Sequence, residues 1–520
     1  MSKKALLSLR SLPKKVTLDG SIVSPEDVAA VALFGAKVNL SAKAKTDIRQ
    51  SRQRLEHLLG QETPIYGVTT GVGDLYRERV SSKEAKKLSR NIIYSHACGV
   101  GDPLEKEKVR ALIFCSIVQF TKGYSGVTLK LVESLVSLLN NSVTPLIPGK
   151  GTLDYSLIHL SHVGLTLLGE GKAFYRGQLL SSKEALRRAK LSPIELQEKE
   201  GLSLISGTTS MTGFASLAIE RAFRLGKLAD ICGAFTYEAL NGNIEALDSR
   251  IHRARPHQGQ IQAAKNLKRL LKGSRLIASG SKNKLLQNAA SVRAIPQVHG
   301  ACRDRFLQCY ETIKTEINSA TDNPLIVKGK HGPEALSGFN PHGEALALSA
   351  ETLALASAEL ATLAERRIAR MTTHYLSGLP PFLVKEFGRN SGLMIPQYVA
   401  AALVSESKLD CTPVVGQGIS TTANQEDHVS MGTLAASKAI SVIQNSEVVF
   451  GIELMTAAQA LEFQDRKKLG VVGSFLYKKI RNIVAPLIED RILQPDIEAM
   501  ISFVQKGDWV YEIEKKWGEL

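Results

Sequence analysis

Apolar positions recur along this chain mainly at helical spacing, interrupted by glycine-rich loops. VRALIFCSIVQFTKG (109–123) is apolar on several faces and predicts a buried helix. Residues 125–143 read as an amphipathic helix that stops at Asn140-Asn141. Further upstream, Ser24 and Pro25 mark a helix start, because serine caps and proline suits the first turn. The longest pattern is EALALSAETLALASAELATLAERRIARM (344–371), which contains neither Gly nor Pro. At 1.5 Å per residue it predicts a helix roughly 40 Å long, and its small residues let neighbours approach closely. Another helix-rich block covers 431–463, and 477–515 is amphipathic and charged. The pattern predicts a mainly α fold built on a central long-helix bundle. Its expected parts are a mixed N-terminal region with active-site loops (1–200), the bundle (201–465) and a C-terminal helical segment (466–520), joined as one cooperative unit.

Composition narrows the function classes. With 66 Lys and Arg against 50 Asp and Glu, the net charge is +16. The basic residues do not alternate with aromatics, which make up only 6% of the chain, so a nucleic-acid partner is not expected. An anionic small substrate suits the same field. The six cysteines (98, 115, 232, 302, 309, 411) form no CxxC pair, and no uncharged apolar run reaches membrane-spanning length. The start, MSKKALLSLRSLPKK, lacks the apolar stretch of a secretion signal. A reduced, cytoplasmic protein is expected.

Four segments concentrate polar residues among Gly and Pro, as binding loops on a rigid scaffold do. IYGVTTGVG presents Tyr66, a candidate acid or base. NIIYSHACGVG carries Ser95 and His96, and SVRAIPQVHG carries Arg293, which could clamp a carboxylate. The fourth set joins EINSATDNPL with Asn318, GFNPHGEALAL with His342 and Glu344, and TTANQEDHVSMG with Gln425 and Glu426. No HExxH, thiolate cluster or Glu-x-x-His pair is present, so no metal is expected, and the phosphate-binding and dinucleotide fingerprints are also missing.

Read together, these loops resemble the histidine and aromatic amino acid ammonia-lyase family. YGVTTGVG, NIIYSHACGVG, LTLLGEGKAFYRG, EINSATDNPL, AERRIAR and TTANQEDHVSMG occur in the family's order, and the resemblance covers roughly residues 20–510. It implies a helical homotetramer of the fumarase/aspartase type, with active sites assembled from several subunits. It also implies roles: catalytic Tyr66 and Glu426, and substrate-binding Ser95, His96, Arg293, Asn318 and Gln425. Ser95-His96 and Glu426 resemble the histidine branch most.

Family members carry an Ala-Ser-Gly triad that cyclises into an electrophilic methylideneimidazolone. Counting back from LLGEGKA (167–173), with a spacing about two residues short, sets Leu153-Asp154-Tyr155 at that place. Asp154 has no hydroxyl to eliminate, and Tyr155 brings a Cβ where glycine's nitrogen would attack. Thr69, Ser206, Ala290 and Pro341 also depart from the family's usual Asn, Asn, Tyr and Phe. The expectation is therefore a divergent lyase-like enzyme without cofactor. It would use side-chain acid–base chemistry (elimination, addition or condensation) on a carboxylate-bearing, amino-acid-like substrate with an imidazole or other polar ring. A non-catalytic ligand-binding or assembly protein and a conventional histidine ammonia-lyase are the alternatives.

Overall fold

The computed structural model describes residues 12–61, 64–277 and 286–520. The first 11 residues, which hold most of the basic start discussed above, lie outside the described part. The chain divides into two compact units. The first comprises 1–220, 309–351 and 413–438; the second comprises 221–308, 352–412 and 439–520. Four of the five boundaries fall inside the long helices Thr209–Ala239, Ile295–Ile317, Glu344–Thr372 and Gly432–Ala460, and the fifth, at 412/413, follows helix Met394–Asp410. Among the described residues, strands are short and belong to the first unit.

The first unit begins with parallel strands Lys15–Leu18 and Lys37–Leu40, paired Val16 to Val38 and Leu18 to Leu40. Both alternate exposed and buried positions, the period of a half-covered strand. Between them runs helix Pro25–Phe34. Ser24 and Asp27 close a reciprocal capping box at its start, and Gly35 ends it in the left-handed region at φ 69°. Helix Lys106–Thr121 is buried continuously from Val109 to Phe120, as its all-round apolar pattern predicts. Its one buried cation, Arg110, donates to the carbonyls of Val31 and Leu139. Helix Glu200–Ile205 crosses helix Ala85–His96 at backbone contact: a Cβ on Gly201 would lie 1.9 Å from the Ser89 carbonyl oxygen. Below it, Lys199 and Asp322 form a fully buried ion pair at 2.8 Å, to which Ser203 adds a hydroxyl.

In the second unit Asp230 is fully buried and accepts from His299 Nδ1 (2.8 Å), Arg303 (2.6 Å) and Asn266 (2.8 Å). Arg367 and Glu453, also fully buried, meet as a bidentate pair that Thr236 completes. A pair in this fork geometry tolerates burial because both carboxylate oxygens receive N–H groups.

One expectation needs correction. The run Glu200–Ala239 and helix Glu344–Thr372 are each long and apolar enough to cross a membrane by length and composition. Neither is a wholly apolar run: residues 201–219 carry no charge but hold seven Ser and Thr, and Glu351, Glu359 and Glu365 interrupt the second. The most apolar window of the first is entirely buried in the protein, and 61% of the second's is.

His159, on helix Leu157–Leu167, is 1% exposed, and neither ring nitrogen has a hydrogen-bond partner. Burial pushes its pKa down to about 4, with His162 adding to the shift. The unfolded chain therefore takes up this proton first as pH falls. The stability that neutral His159 supplies is complete above the ordinary value near 6.5 and declines between there and about 4. Over the whole window the loss is roughly 3 kcal/mol. Urea denaturation between pH 7 and pH 4 should show this decline, and His159→Leu should remove that part of it.

Candidate active site

Within the first unit a cavity of about 350 Å³ gathers Tyr66, Ser95, His96, Tyr155 and Glu426. Tyr66 comes from a loop that folds back on itself. Ile65 N–H donates to Thr69 Oγ1 (2.8 Å) and Gly67 N–H to Thr70 Oγ1 (3.1 Å), while Gly73 N–H donates to the Tyr66 phenol oxygen (2.8 Å). Gly73 is required here. Its φ is +58°, and a Cβ on it would stand 2.3 Å from Thr422 Cγ2. Burial raises the Tyr66 pKa above its ordinary value; Gly73 N–H lowers it by less, and the Glu426 charge raises it further. The resting phenol is therefore protonated.

His96 ends helix Ala85–His96. Its Nδ1 lies 2.8 Å from the Ile92 carbonyl oxygen, which can only accept, so Nδ1 carries the proton and Nε2 is left as an acceptor. Burial lowers its pKa, against the smaller opposing effect of that carbonyl, which keeps the ring neutral. Ser95 lies beside it, with Oγ 3.0 Å from His96 Nδ1.

Glu426 stands on a tight loop closed by Thr421 N–H donating to the Glu426 carbonyl (2.9 Å). Thr422, Ala423 and Asn424 are successive non-glycine residues at φ 53°, 54° and 65°, a strained run of the kind found at ligand-binding turns. Glu426 Oε2 and the Tyr155 hydroxyl are both buried without a partner. Burial raises the Tyr155 pKa, with further contributions from Asp154, Glu426 and Tyr66.

The segment at the expected electrophile position is an ordinary, tightly bonded turn. Asp154 accepts from Ser430 N–H (3.0 Å) and from the Ser430 hydroxyl, and its carbonyl accepts from the Thr433 hydroxyl. Burial raises the Asp154 pKa, and the Ser430 bonds work in the opposite direction. The Tyr155 ring packs edge-on against Phe339, with centroids 5.7 Å apart. Leu153-Asp154-Tyr155 thus offers no aliphatic hydroxyl to lose and no unhindered nitrogen to attack, and these residues do not fit a self-made methylideneimidazolone.

The structure separates the remaining candidates. Asn318 clamps the start of the first helix: its side chain accepts from Val23 N–H (3.0 Å) and donates to the carbonyls of Val23 (2.7 Å) and Lys314 (2.8 Å). Asn323, five residues on, lines the cavity instead. Gln425 is exposed. Arg293 belongs to the second unit, where it is exposed and donates to Gln287. Ser206 and Pro341, noted in the sequence as departures from the family, also line the cavity, as does Phe339, which the sequence left unmarked.

Comparison with known proteins gives this site its context. Residues 23–482 match the family described as aromatic amino acid lyase. The chain is 45% identical over 513 residues to histidine ammonia-lyase 2 of Fusobacterium nucleatum, covering 98% of this chain and 100% of that protein. Among solved structures it is similar to tyrosine aminomutase from Streptomyces globisporus (34% identity, TM-score 0.92, 97% and 99% of the two chains). Histidine ammonia-lyase from Trypanosoma cruzi aligns with 35% identity and a TM-score of 0.89, over 97% and 96%. The expected long-helix lyase fold is thereby shown. The expected exchange of ammonia-lyase chemistry for other acid–base chemistry is overturned, because near full-length agreement with histidine ammonia-lyases outweighs a reading that leaned on a few local departures. From its loops to its long helices, this chain belongs to the aromatic amino acid lyase family.

Proposed function

We propose that this chain is a histidine-type ammonia-lyase, releasing ammonia from a carboxylate-bearing α-amino acid whose side chain is an imidazole. The observation that carries the reading is the convergence of Tyr66, His96 and Glu426 on one cavity, in a chain 45% identical to a histidine ammonia-lyase. The Glu426 carboxylate is an acceptor for the single substrate ring N–H, and neutral His96, with Nε2 free to accept, faces the same space and can take an N–H from the substrate's ammonium group or a bound water. Tyr66 takes the proton from the β-carbon, adjacent to the α-carbon whose bond to the amine breaks as the double bond forms, with its phenolate oxygen held by Gly73 N–H. Arg293 for the carboxylate and Gln425 for a polar contact rest on the family resemblance, as do assembly into a homotetramer and a cytoplasmic location.

In the family the methylideneimidazolone makes the amine a better leaving group. Because residues 153–155 do not fit that group, no step is routed through it. The intact mass of the denatured protein is expected to equal the sequence mass. A deficit of two water molecules confined to a peptide containing 153–155 would show that the ring forms after all.

The function is tested by incubating the purified chain with histidine and following ammonia together with the conjugated unsaturated acid. Stoichiometric appearance of both supports the reading. Ammonia release from phenylalanine or tyrosine but not from histidine would overturn the histidine assignment, and release from none would overturn the lyase assignment. Tyr66→Phe should lower kcat about 10²–10⁴-fold, the usual contribution of a positioned acid or base.

The pH profile follows from the same phenol. Tyr66 acts as a base only when ionised, and burial raises its pKa above the ordinary 10. kcat/KM should therefore climb as pH rises from 7 towards that value. A plateau already reached at pH 7 would remove Tyr66 from the role of base.

A further inference from the structure

Beside the cavity, the first unit brings together three side chains that the reaction above does not use: His342, Glu344 and His428. His342 precedes helix Glu344–Thr372, Glu344 is that helix's first residue, and His428 follows the strained loop. Their ligand atoms all lie within 4.8 Å of one another. His342 Nε2 and His428 Nδ1 are 2.9 Å apart, with the rings nearly parallel at 25°. Glu344 Oε2 is buried and has no hydrogen-bond partner.

We propose that His342 Nε2, His428 Nδ1 and the Glu344 carboxylate form a binding site for one divalent first-row transition ion of the zinc class. Two imidazole nitrogens that face each other this closely must share one proton, and an ion can take that proton's place. On a tetrahedral ion with bonds of about 2.0–2.1 Å, two nitrogens stand roughly 3.3 Å apart, so the rings need separate by only about half an ångström. The carboxylate supplies the third ligand and one negative charge, and its unpaired buried oxygen gains a partner. Two histidines and one glutamate suit zinc or cobalt better than magnesium or calcium, which favour all-oxygen sets. The ion would tie the loop that carries Glu426 to the start of helix Glu344–Thr372. His342 and Glu344 are two residues apart, but His428 lies 84 residues beyond Glu344, so only the fold brings the three together.

The test uses the full chain, stripped with a chelator and titrated with Co²⁺, whose visible absorption reports nitrogen and oxygen ligation. The expected result is one Co²⁺ per chain, displaced by Zn²⁺. His428→Ala and Glu344→Gln should each weaken binding tenfold or more while the circular dichroism spectrum is unchanged. His57→Ala, an exposed histidine elsewhere, should leave binding intact. Wild-type affinity and stoichiometry in both site variants would mean an adventitious ion only and overturn the proposal, as would no binding by the wild-type chain. The readout is binding, so it stands or falls separately from the deamination assay.

Discussion

The turn at 153–156 is held between two helix starts, and the shape of the cavity follows from that restraint. On one side Asp154 receives Ser430 N–H and hydroxyl, just ahead of helix Gly432–Ala460, where a carboxylate also meets the positive end of the helix dipole. On the other, Ser156 Oγ accepts from Ser210 N–H (2.9 Å), in the first turn of helix Thr209–Ala239. Burying Asp154 costs free energy, as its raised pKa shows, and the Ser430 bonds offset part of that cost. Between these two fixed residues, the side chain of Tyr155 lines the cavity and packs against Phe339.

The other cavity groups are held by equally local means, which is why loops can position them. Tyr66 is fixed by a hydrogen bond from its own loop, His96 by the carbonyl one helical turn earlier, and Glu426 by the closure onto Thr421. None of these depends on a long side-chain network. Glu426 and Tyr66 each raise the pKa of Tyr155, and Glu426 does the same to Tyr66. The phenols therefore rest as donors while a neutral histidine supplies an acceptor nearby. A cavity that holds both kinds of group suits a ring that is itself donor and acceptor.

Where chemistry and position lie close in sequence, the sequence was a good guide. The long apolar runs predicted helices that the structure contains, and the glycine loop around Tyr66, the Ser95-His96 pair and Glu426 could each be picked out by eye. Asn318 shows that a polar residue in a loop-like segment can serve the backbone as well as a ligand. Its amide holds the start of a helix 295 residues away in sequence, which no local pattern reveals. Ser206 and Pro341 stood out only as departures, and their place on the cavity wall became visible once the fold was known. Three residues do not determine the reaction class of the whole chain. Local chemistry shows that Leu153-Asp154-Tyr155 cannot readily become the family's electrophile, but it does not say which reaction class the rest of the chain supports.

The cavity's own polarity bears on that reaction. The Tyr155 hydroxyl and Glu426 Oε2 are buried without partners, and each such group costs about 1–3 kcal/mol until something satisfies it. An imidazole ring brings one N–H, which a carboxylate can accept, and one bare nitrogen, which a phenol can meet. A phenyl ring of similar size would leave both protein groups unpaired and would have to displace any water serving them. Sites built around hydrogen-bonding groups reject analogues that lack the matching atoms far more strongly than apolar pockets reject a missing methylene. Tyr155, at the place of the expected electrophile, thus also sets a hydrogen-bond donor in the cavity, a group that the polar ring of the proposed substrate would satisfy and an aromatic hydrocarbon would not.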